Sequence, residues 1–117
     1  MTSLTFNDQE LVINVEGIDK LLAFKSEVRV KLAHIKHVEI NREGLMDFKV
    51  ASFGIGTIFA GKVQAGTFKE NGEKSFWDVH HIDKTIVLTL EDDEYGKVVI
   101  EVEDPSSAVR MIQEKIA

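Results

Sequence analysis

The chain has 117 residues, a formal net charge of −6, 44% hydrophobic residues and no cysteine. That length fits one domain with its own core, and the lack of cysteine excludes a disulfide framework, a thiolate nucleophile and a cysteine-based zinc site. The acidity is one-sided: residues 1–69 hold nine Lys/Arg against eight Asp/Glu, and residues 70–117 hold five against twelve, which argues against a nucleic-acid footprint and against broad contact with anionic membranes.

No apolar run approaches the roughly 20 residues of a membrane span. The start, Met1 to Asp8, lacks the basic and apolar regions of a secretory signal. The expected compartment is the cytoplasm.

In chain order, Leu11, Ile13 and Val15 alternate and mark a first strand. Ile18, Leu21 and Leu22 then fall at helical spacing and predict a short helical turn. Glu27 to Leu32 and Ile35 to Ile40 alternate again, and the short gap between them predicts an antiparallel hairpin. Asn41 to Gly44 reads as a turn, and Leu45 to Val50 fits either helix or strand. Residues 51–61 are glycine-rich, apolar and uncharged. They read as a loop, either tucked against the fold or presented to a partner.

The central element is a hairpin. Asn71-Gly72 tolerates the positive φ angles of a two-residue type I′ turn. Counting outward pairs Glu70 with Glu73, Lys69 with Lys74, Phe68 with Ser75, Thr67 with Phe76 and Gly66 with Trp77. One face then carries Phe68, Trp77 and Val79, with Trp77 lying across Gly66. The other carries Val63, Ala65, Thr67 and Phe76. Both faces are apolar, so both need a cover.

A turn at His81 to Lys84 leads to the strand Thr85–Leu90, with Ile86, Leu88 and Leu90 inward. The acidic turn Glu91 to Gly96 leads to Lys97–Val102, with Val98, Ile100 and Val102 inward. Asp104 then caps a helix from Pro105 to Ile116, whose stripe Ala108, Val109, Ile112 and Ile116 docks on the sheet.

Seven strands followed by one capping helix is the order of the pleckstrin-homology-like barrel. Gly66-Thr67-Phe68, Phe76-Trp77-Asp78-Val79, the strand Thr85–Leu90 and Val99 to Pro105 leading into Ala108-Val109 resemble small bacterial PH-like proteins. The resemblance implies a mainly β fold, a seven-stranded antiparallel barrel capped by a C-terminal α-helix, spanning 1–117 as one domain. It also implies a binding or assembly role without catalysis. Relatives that bind phosphoinositides use a basic loop between the first two strands. Here that stretch offers only Lys20 and Lys25 beside Asp19, too little convergent charge for a phosphate clamp.

Candidate chemistry is sparse. His80, His81 and Asp83, with His34 and His37, have metal-ligand chemistry, but neighbours on a strand point to opposite faces and share a site only if the strand has ended. Gly54, Gly56 and Gly61 imitate a phosphate loop without its following helix. Glu91 to Glu94 lacks the spacing of a calcium loop. Asp78 beside Trp77 has a raised pKa if buried, a mark of active sites.

The expected function is a non-enzymatic interaction or assembly module that binds a protein partner or itself, with no cofactor, metal or catalytic residue. Phe53, Ile55, Ile58 and Phe59 are the candidate partner surface. The alternatives are a small-ligand or anionic-headgroup site at Lys20, Lys25, Arg29 and Lys31, and a metal-dependent enzyme that needs His80, His81 and either Asp78 or Asp83 to converge on one pocket.

Overall fold

A computed structural model describes residues 1–23, 25–41, 53–59, 63–70 and 72–117; for 53–59, 63 and 70 only the backbone is described. Among the described residues nine strands form two sheets, and a C-terminal helix packs on them. β1 (Thr2–Phe6), β2 (Glu10–Val15) and β3 (Glu27–Lys31) make an antiparallel three-stranded sheet in that order. A short helix, α1 (Asp19–Ala23), separates β2 from β3 and lies against the second sheet. That sheet has six strands: β4 (Ile35–Ile40), β5 (Phe53–Phe59), β6 (Val63–Glu70), β7 (Glu73–Val79), β8 (Thr85–Leu90) and β9 (Lys97–Glu101), in the order β4-β8-β9-β7-β6-β5.

The strands form where alternation puts apolar residues on a shared core. Leu11, Ile13, Val15, Val28 and Val30 of the small sheet meet Ala65, Phe76, Ile86, Leu88, Val98 and Ile100 of the large one. α2 (Pro105–Ile116) closes this core with Ala108 and Ile112 buried and Val109 and Ile116 partly buried. Its start is as the sequence dictates: the Asp104 carboxylate accepts from the Ser107 N–H at 3.2 Å, and Pro105 takes the first turn.

The hairpin β6–β7 keeps the register counted from Asn71-Gly72, from Glu70 opposite Glu73 to Gly66 opposite Trp77. Asn71 itself lies outside the described residues; Gly72 has φ +80°. Both faces of the hairpin are buried. Ala65 and Phe76 join the main core, while Phe68, Trp77 and Val79 form a second cluster with Val87 and Val99 on the opposite face. The Trp77 indole N–H donates to Ser75 Oγ at 3.0 Å, which satisfies its polar atom.

Four expectations are corrected. The described residues form nine strands rather than the seven expected, since Thr2–Phe6 also pairs and 53–59 is a strand instead of a loop. β3 and β4 form no hairpin: a 3₁₀ turn at Leu32–His34 redirects the chain, so that β4 pairs with β8 in the other sheet. Both strands still feed one core, from opposite sides. The sheet is not wholly antiparallel, because β9 inserts between β8 and β7 and runs parallel to β7. No ladder joins the two sheets among the described residues, so no closed barrel forms there. Residues 42–52, including the helix-or-strand segment 45–50, lie outside the described residues. No helix is long and apolar enough to cross a membrane among the described residues.

Two substitutions test this packing. Gly66 has φ +137°, a region that side-chain-bearing residues avoid, so Gly66→Ala is expected to cost about 1–3 kcal/mol in urea unfolding. Ile112 is fully buried, and Ile112→Ala is expected to cost about 2–5 kcal/mol in the same measurement.

Candidate functional site

Four separate segments bring charge into one place. β7 carries Asp78 one residue before its end, opposite Ala65 on β6 and Ile100 on β9. Its neighbours are apolar core residues, so its carboxyl is wholly buried. α1 supplies Asp19 at its first residue, and β9 supplies Glu101 at its last; both are buried too. The strand β7 ends at Val79, which releases His80 and His81 from strand alternation.

The contacts are specific. His80 Nε2 lies 2.7 Å from Asp19 Oδ1. The His80 backbone N–H donates to Glu101 Oε1 at 3.1 Å, and His81 Nδ1 lies 2.9 Å from Glu101 Oε2. The Met1 ammonium donates to Asp19 Oδ2, and to Asp78 Oδ2 at 3.3 Å. Asp78 Oδ1 is buried with no hydrogen-bond partner. An open cleft of about 440 Å³ leads to this group, lined among others by Ile18, Asp19, His80, His81, Lys84 and Glu101.

Electrostatics divide the two aspartates. Burial, and then the hydrogen bond to Asp19, push the Asp78 carboxyl up to about 8, against the attraction of the nearby ammonium. Burial also works against the Asp19 anion. Hydrogen bonds from the Met1 ammonium, Asp78 and His80 outweigh it and hold Asp19 below the usual carboxylate range. Burial disfavours the charged ammonium as well, but Asp19 and Asp78 together raise its pKa. At neutral pH the pair is therefore one neutral acid hydrogen-bonded to one anion, and the anion faces the cation.

The sequence-derived candidates fall differently. Of the residues the enzyme alternative names, His80 has a ring nitrogen within 4.8 Å of an Asp78 oxygen, whereas His81 faces Glu101 and is largely exposed. Asp83 is exposed on a 3₁₀ turn at Ile82–Lys84. His34 pairs with Asp93 at 2.9 Å and His37 lies 3.4 Å from Glu39, both away from the cleft. In the acidic turn, Asp93 also accepts from the Tyr95 N–H, so part of it serves the hairpin tip. Of the basic candidates, Lys20 is exposed on α1 and Lys25 half-buried beyond it, while Arg29 and Lys31 are exposed on β3. The Arg29 guanidinium is engaged by Glu27 at 2.6 Å and Glu10 at 3.2 Å. Phe53, Ile55, Ile58 and Phe59 are fixed by register opposite Lys69, Thr67, Gln64 and Val63; their side chains lie outside the described residues. Gly54 and Gly56 belong to that strand rather than to a phosphate loop, and Gly61 is outside the described residues.

Sequence reasoning missed Asp19 and Glu101. Asp19 follows Gly17-Ile18 with nothing to distinguish it from a solvated helix start. Glu101 alternates with inward-facing Ile100 and Val102, which assigns it to solvent unless the sheet's other face is known to be covered.

No protein-family model, curated protein or solved structure matches this chain.

The charge arrangement fixes a pH profile. Folded Asp78 holds a proton that the unfolded chain releases near pH 4, so its contribution is complete below that value. It is lost as pH rises through about 8, at up to about 1.4 kcal/mol per pH unit. The raised ammonium acts in the same direction at its upper end, whereas the lowered Asp19 loses its contribution only in acid, below the usual carboxylate pKa. Urea unfolding is expected to show stability falling from pH 5 to pH 8. Asp78→Asn, neutral at every pH, flattens that slope and exceeds the parent chain in stability at alkaline pH.

Proposed function

We propose that this chain is a non-enzymatic interaction domain of the PH-like kind that self-associates through the open edge of β5. The observation that carries the reading is the contrast between the two edges of the six-stranded sheet. β4, at one edge, bears Lys36, His37 and Glu39, has a register shift between Ile35 and His37, and lies under α2. Charge, irregularity and cover are the devices by which an edge avoids pairing with another chain. β5, at the other edge, is seven residues of Phe-Gly-Ile-Gly-Thr-Ile-Phe without a charge, in continuous register with β6. Among the described residues no strand pairs with its outer side.

A strand of that length, touched by α1 but with no described strand on its outer side, offers main-chain hydrogen bonds to an added strand. A second copy of the chain supplies one of matching length. The PH-like kinship draws further support from the C-terminal helix, which packs on β4 and β8. An anionic-headgroup role has less behind it, because Arg29, the one guanidinium among its four basic residues, is already engaged by two carboxylates.

Sedimentation velocity over a wide concentration range tests the reading. A reversible dimer is expected, and Thr57→Lys, which places a charge on the pairing edge, is expected to return it to monomer with circular dichroism unchanged. A strict monomer at every concentration overturns self-association.

A further inference from the structure

We propose that Asp19, Asp78 and His80 form a binding site for a divalent transition-metal ion of the zinc or manganese class, entered from the cleft. One donor atom from each lies within 4.8 Å of the other two. Metal–oxygen and metal–nitrogen bonds of about 2.0–2.2 Å place ligands up to roughly 4 Å apart, so only a small contraction is needed. His80 can make it, since its side chain is 31% exposed while Asp19 and Asp78 are held in the interior. Two carboxylates and an imidazole match the preferences of these ions.

Acidic clusters alone do not make a site, but here a second observation points to a ligand. Asp78 Oδ1 is fully buried and has no hydrogen-bond partner. A buried oxygen in that condition is unfavourable, and natural folds supply a donor, a water or a cation to it. The other oxygen of the same carboxyl already faces a positive charge, the Met1 ammonium at 3.3 Å. The place is thus suited to a cation, and a divalent ion entering it takes over the ammonium's contacts with Asp19 and Asp78.

The surroundings supply the outer support that metal ligands need. Glu101 accepts the His80 backbone N–H with one oxygen and faces His81 Nδ1 with the other. It therefore fixes the segment that carries the imidazole ligand without being a ligand itself. The cleft leaves room for water to complete the coordination shell.

Equilibrium dialysis of the full chain against zinc chloride, and separately manganese chloride, reads the site directly. A single equivalent of metal is expected to bind, with a rise in melting temperature that a chelator reverses. His80→Ala is expected to weaken binding by more than about 10-fold, the scale of loss seen even for outer-shell partners. His37→Ala, which removes an exposed imidazole far from the cleft, is expected to bind as the parent does. His80 is partly exposed, so its alanine variant folds; circular dichroism confirms this, and Asp19→Asn serves as the second ligand variant. Failure of both metals to bind overturns the proposal, as does binding that survives His80→Ala and Asp19→Asn or disappears with His37→Ala.

Discussion

A carboxyl group sits where a six-stranded sheet would otherwise place an apolar side chain. Asp78 lies between Ala65 and Ile100 across the strands, and the fold around it is arranged to make that tolerable. An isolated buried anion costs many kcal/mol, so the group either stays protonated or acquires a positive partner. The structure does both. The proton is favoured by burial and by Asp19, and the ammonium and His80 gather on the Asp19 side of the pair. The start of β1, the ends of β7 and β9 and the start of α1 meet around this one group.

The same sheet explains why charge is concentrated at that end. Its two faces carry separate apolar clusters, one shared with the small sheet and α2, the other centred on Trp77, Val87 and Val99. With both faces apolar in the middle, polar groups that join the two sheets collect where the strands finish. Thr2 donates to the Glu101 carbonyl there at 2.9 Å, tying β1 to β9 close to the cluster.

Much of this was legible in the residues, and what was missed has a physical cause. Counting outward from Asn71-Gly72 gave the five cross-strand pairs from Glu70–Glu73 to Gly66–Trp77, because a two-residue turn leaves no freedom in counting. Asp104-Pro105 likewise marked the helix start. The position of β9 was not legible: local spacing shows that a strand exists, whereas its insertion between β7 and β8 is decided by long-range packing. β5 resembled a loop because glycine is rare in strands, yet Gly54 pairs opposite Phe68 and Gly56 opposite Gly66, in the row that also holds Trp77. Glycines fit where a neighbouring backbone approaches an aromatic ring. At the site, the histidines were named from residue type, and Asp78 from its place beside Trp77. Asp19 and Glu101 escaped because burial of a charge comes from covering both faces of a sheet, which alternation along a single strand does not reveal.

The parallel pairing of β7 with β9 has a consequence for the order of assembly. The strands β5, β6 and β7 are contiguous in pairing and can zip as two successive hairpins. The sheet's middle, however, is filled by the last strand in the chain, which must enter between β7 and β8. On a ribosome, therefore, the hairpin rich in aromatic residues is synthesised well before the strand that shields the far side of β7. Closure of such non-local contacts is slow relative to local hairpins, and an apolar strand left open in that interval is a target for chaperones or for misassembly. Truncation near residue 96 would leave the aromatic ribbon permanently in that state, which makes the C-terminal fifth of the chain the segment that commits the rest to its native arrangement.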